Sequence, residues 1–125
     1  MKIFVFGNPD LPEDSLPLRI LPRLQQNFSE LEFVTVDPNE EWQVPEELVA
    51  IDTAQGIGEV SVFEDLDKFA PAPRLTMHDF DALLNLRYLM KLGKLKSVKI
   101  IGVPPGLLEE DALRQVIGVL GNLAK

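Results

Sequence analysis

The chain has 125 residues, 46% hydrophobic and 26% charged, which is the size and balance of a single globular domain spanning residues 1–125. Its 20 acidic residues against 12 basic ones leave a net charge of −8, which argues against nucleic acid or an anionic membrane surface as a partner. There is no cysteine and one histidine, His78, so disulfides, thiolate metal sites and a cysteine nucleophile are excluded.

The apolar run Ile3 to Phe6, closed by Gly7-Asn8-Pro9, predicts a buried first strand ending in a turn. It is too short for the apolar stretch of a secretory leader. No window approaches the ~20 apolar residues of a membrane span, so a soluble, cytoplasmic protein is expected. From Asp14 to Gln26 the apolar positions Leu16, Ile20, Leu21 and Leu24 predict a helix capped by Asp14 or Ser15. Pro17 suits its first turn, whereas Pro22 lies deeper and is expected to kink or weaken it.

Leu31 to Val36 predicts a second strand, stopped at Asp37-Pro38, and Leu48 to Ile51 a short apolar strand ending at Asp52. Gly58 to Phe63 alternates as a half-exposed strand, expected to form an edge hairpin with the strand before it. Asp65 to Arg74 reads as a loop. A helix follows from about Asp79 to Leu92, with Gly93 as its stop. Val98 to Val103 is the last strand, and Leu113, Val116, Ile117 and Leu120 mark one face of a closing helix. Strands alternating with helices predict a three-layer αβα sandwich around a mostly parallel sheet of about five strands. In such sheets ligands gather at the carboxyl ends of the strands, where Asn8, Asp14, Asp37 and Asp52 all fall.

The loop Gly7 to Asp14 lacks the Gly-x-Gly-x-x-Gly fingerprint, and its carboxylates would repel a phosphate. Taken alone it reads as an acidic turn with a capping carboxylate. Asp52 is equally a turn former or a site residue, and His78 by itself reads as a residue packing before a helix. No serine lies in a Gly-x-Ser-x-Gly elbow. A phospho-acceptor receiver is poorly matched, since no acidic pair follows Phe6 directly and Val103 is followed by prolines. In combination Asp14, Asp52 and His78 offer two carboxylates and one imidazole from three strand ends. Such a set suits a borderline divalent ion such as Ni²⁺ or Zn²⁺ while leaving coordination positions open.

In this order the motifs resemble the NiFe hydrogenase maturation endopeptidases. The matching residues are Phe6-Gly7-Asn8, Leu11 and Glu13-Asp14 leading into Leu18-Arg19-Ile20; Ala50-Ile51-Asp52-Thr53; Thr76-Met77-His78 before Leu83-Leu84; and Ile101-Gly102-Val103-Pro104-Pro105. The resemblance runs through nearly the whole chain and implies a phosphorylase/hydrolase-like αβα fold. It implies metal ligands Asp14, Asp52 and His78, substrate contacts at Asn8, Asp37 and Thr76, and Glu13 as the group handling a proton. The substrate it implies is a hydrogenase large-subunit precursor with nickel already seated, whose C-terminal extension is removed. Ni²⁺ then arrives with the substrate, and Zn²⁺ or another divalent ion can stand in for it in vitro.

The chain also departs from that pattern. Phe6 stands where members carry a further glycine, Ser15-Leu16-Pro17 replaces the glycines after the acidic pair, and Asp37-Pro38-Asn39-Glu40 replaces an Asp-Gly-Gly-Thr turn. Two further readings therefore stay open. One is a non-catalytic relative that binds a metal-loaded partner without cutting it; the other is an α/β binding domain without metal.

Overall fold

The computed structural model describes residues 1–7, 10–36, 43–64, 74–75 and 88–123, with backbone alone at 74–75. In chain order the elements are strand β1 (Lys2–Phe6), a 3-10 turn (Pro12–Asp14), helix α1 (Leu16–Asn27), and strands β2 (Glu32–Val36), β3 (Glu47–Gln55), β4 (Ser61–Phe63), β5 (Arg74–Leu75) and β6 (Ser97–Val103). Helix α2 (Glu109–Leu123) closes the fold. Residues 88–91 form a further helical turn. Gly93 ends it at φ +75, as expected of a glycine stop; the rest of the helix expected from Asp79 lies outside the described residues. No helix among the described residues is long and apolar enough to cross a membrane.

The main sheet runs β2-β1-β3-β6-β4. β1 pairs in parallel with β2 and β3, and β3 in parallel with β6. Alternation along these strands sends side chains to two separate cores. Ile3, Val5, Ile51, Ile101 and Val103 meet Leu16, Ile20 and Leu24 of α1 and Val116 and Leu120 of α2 on one face. Phe4, Phe6, Leu48, Ala50, Ala54 and Ile100 meet Leu95 and the partly buried Leu89 on the other. That is the three-layer sandwich, and each large side chain buried in it contributes roughly 1.5–3 kcal/mol. Asp52, between Ala50 and Ala54, takes the second face; Thr53, between Ile51 and its cross-strand partner Val103, takes the first.

Two expectations are corrected. β3 does not stop at Ile51 but runs to Gln55, so Asp52 stands inside the strand opposite Gly102. β4 forms no hairpin with β3; it pairs antiparallel with β6 and makes the sheet edge. Both edges of β3 are already taken, by β1 and β6, so the connection 56–60 carries the chain past β6. Val60 N–H donates to Gln115 Oε1 of α2 at 2.8 Å and pins that connection.

α1 continues through Pro22 to Asn27. The proline sits on the solvent face, where water can take the carbonyl it leaves without a donor. Ser15 occupies the N-cap position without a capping bond. Its hydroxyl instead donates to the Pro12 carbonyl and accepts from Arg19 Nε, each at 3.1 Å. Across the helix pair Arg19 Nη1 meets Glu109 Oε1 at 3.0 Å, and Arg23 pairs with Glu110.

Gly102 has no room for a side chain: a Cβ there would lie 2.7 Å from both the Ala54 Cβ and the Phe63 ring. Gly102→Ala is expected to lower stability by about 1–3 kcal/mol through overpacking, read as a lower denaturation midpoint with the denaturant slope unchanged. The hydrogen bond and charge of Arg23 hold the Glu110 carboxyl below its usual range. A lowered folded value stabilises the protein above the unfolded pKa, and the effect is lost as pH falls through the folded one. The melting temperatures of wild type and Glu110→Gln should therefore differ slightly near neutrality. The gap should close as pH drops below about 4.3 and shrink in high salt.

Candidate functional site

The strand order sets where a ligand can bind. From β1 the chain crosses through α1 to β2 on one side, and later strands are added on the other side, beside β3. Right-handed crossovers in opposite directions lie on opposite faces, so a crevice opens between them at the carboxyl ends of β1 and β3. The last pair along this seam is Val5 with Ile51. Beyond it come Phe6 and then Gly7 on one strand and Asp52 on the other.

Gly7 is a close-approach position. A Cβ on it would come 2.9 Å from the Asp14 carbonyl oxygen and 3.1 Å from the Leu18 side chain. Only glycine lets the 3-10 turn fold back over the end of β1. The turn is fixed by Asp14 N–H donating to the Leu11 carbonyl at 2.9 Å. It leaves Glu13 exposed and Asp14 partly buried. One carboxylate oxygen of Asp14, Oδ1, is buried with no hydrogen-bond partner among the described residues, and such a group demands a water, a cation or a ligand.

Asp52 is 0% exposed. Its Oδ1 accepts the Thr53 N–H at 2.9 Å, which restrains the carboxylate. Thr53 is also 0% exposed, and its Oγ1, like Asp14 Oδ1, has no partner. Sequence reading passed over Thr53, because a threonine inside a strand carries no signal; its unmet hydroxyl shows only once the neighbours are in place.

β5 pairs with the end of β3, Leu75 opposite Ala54 and Arg74 opposite Gln55 in antiparallel register. Asn8, Asp37, Thr76 and His78 lie outside the described residues. Among the described residues no set of three acidic or imidazole groups converges as a metal site. Asp14 and Asp52 are thus the two expected ligands placed here, and both stand at the switch-point edge. An orphaned carboxylate oxygen and a fully buried carboxylate at one end of the sheet are donors of the kind that suit a divalent ion.

The fold and this edge define a class: a three-layer α/β protein with a switch-point site lined by acids. No protein-family model matches the sequence, and no curated protein sequence matches it. Among solved structures the chain shares its fold with the hydrogenase maturating endopeptidase HybD from E. coli. The two superpose with a TM-score of 0.61 at 19% identity, over 98% of this chain and 94% of that one.

Filling the close approach should disturb the site before the core. Gly7→Ala is expected to cost about 1–3 kcal/mol and to weaken divalent-metal binding. Leu24→Ala, which hollows the core away from the edge, should cost as much stability or more and leave that binding in place.

Proposed function

We propose that this protein is an endopeptidase that matures a NiFe hydrogenase, removing the C-terminal extension of a large-subunit precursor that already carries nickel. The observation that carries the reading is the buried, partnerless Asp14 Oδ1 at the same sheet edge as the fully buried Asp52. The shared fold with a protein described as a hydrogenase maturating endopeptidase supports it.

In this reading Asp14, Asp52 and His78 hold the nickel that the precursor presents. Leu75 lies opposite Ala54, and His78 follows three residues later, a reach of roughly 10 Å at most. Nickel supplies Lewis acidity that polarises an oxygen. The chain's own part is to seat the precursor against the edge through Asn8, Asp37 and Thr76. Glu13, exposed and next to Asp14, handles the proton as general base and acid. Zn²⁺ or another divalent ion replaces nickel in vitro.

The alternative is a non-catalytic relative that binds the metal-loaded partner without cleaving it. One observation favours it: the segment Ser15-Leu16-Pro17, which stands in place of glycines, is buried and leaves less backbone freely approachable beside Asp14.

Two measurements separate these readings. Calorimetry with Ni²⁺ or Zn²⁺ should show binding by wild type and its loss in His78→Ala and Asp52→Ala; equal binding by all three would remove the metal site. Incubation with a nickel-loaded precursor should shorten it by its C-terminal tail. A precursor left full length, beside a working peptidase control, would establish the non-catalytic alternative.

A further inference from the structure

We propose that Thr53 is a positioning residue of this site, its amide fixing Asp52 and its hydroxyl fixing Asp14 through one bound water. The inference rests on the metal-binding reading above and adds to it a residue outside the expected ligand set. Three observations carry it. Thr53 N–H donates to Asp52 Oδ1 at 2.9 Å. Thr53 Oγ1 is buried and partnerless, and so is Asp14 Oδ1. Both residues belong to the same face and the same end of the sheet: Thr53 alternates with Ile51 beneath α1 and α2, and Asp14 leads directly into α1 with its backbone against Gly7.

Hydrogen-bond capacity then selects the arrangement. A carboxylate oxygen only accepts, whereas a threonine hydroxyl donates once and accepts besides. The two are complementary yet make no direct bond, so each needs an intermediary. A water satisfies both, donating to Asp14 Oδ1 and accepting from Thr53 Oγ1. Asp14 is then held in orientation from behind, as the ligands of metal sites commonly are by their outer partners. Because the Thr53 amide holds Asp52 at the same time, one residue sets the aim of both carboxylates.

The test compares Thr53→Val, Thr53→Ser and Asp52→Ala with wild type, using Zn²⁺ alone in calorimetry and thermal melting without metal. Valine keeps the volume and the amide but removes the hydroxyl; serine keeps the hydroxyl. Thr53→Val is expected to weaken Zn²⁺ binding by about 10- to 100-fold and to lower the melting temperature, whereas Thr53→Ser retains wild-type affinity within a few-fold. A hydroxyl that is only a buried orphan would behave oppositely: Thr53→Val would melt higher and bind Zn²⁺ as wild type does. That result, with Asp52→Ala still losing binding, overturns the role of Thr53 and leaves the metal site standing. No Zn²⁺ binding by wild type overturns both.

Discussion

Asp52 is a carboxylate enclosed in the middle of a parallel sheet, and the architecture around it follows from accommodating that group. An ionised side chain taken fully out of water costs several kcal/mol unless it gains partners. β3 is apolar on both faces from Leu48 to Ala54 apart from Asp52 and Thr53, and the Thr53 amide is one donor that Asp52 gains there. Asp52 lies near the end of β1, where the strand order reverses and the crossovers part to opposite faces.

Two glycines make that edge geometrically available, and each acts through the atoms a side chain would strike. Gly7 admits the backbone of Asp14 over the end of β1; Gly102 admits Phe63 and Ala54 against β6. The first sets where an acid stands, and the second closes the sheet on its far side. The helix pair behind them is tied by Arg19 with Glu109 and Arg23 with Glu110. Those exposed pairs add little energy but set the register of α1 against α2, and α1 is the helix that Asp14 leads into.

Much of this was legible in the sequence because it depends on local pattern. The runs of β1 and β6, the apolar faces of α1 and α2 and the stop at Gly93 follow from periodicity and turn chemistry, and together they imply the layered α/β sandwich. What escaped depends on partners far along the chain. β3 reads as ending at Ile51 because Asp52 and Thr53 interrupt its apolar run, yet pairing with Gly102 and Val103 carries it on to Gln55. β4 reads as half of a hairpin because sequence proximity favours its neighbour, while β6 holds the edge it takes. Ser15 has the side chain of a cap, but Pro12 and Arg19 claim its hydroxyl. Of the expected site, Asp14 lies in the 3-10 turn beside Gly7 and Asp52 inside β3 rather than after it, whereas Thr53 could be recognised only by an unmet hydrogen bond.

In the proposed reading the carboxyl edge of β1 and β3 meets a divalent cation. Anomalous diffraction from crystals grown with Zn²⁺ tests it most directly. The account predicts a peak coordinated by Asp14, Asp52 and His78 at the switch point. Peaks confined to the other acidic surfaces, with Asp14 and Asp52 coordinating nothing, would contradict it.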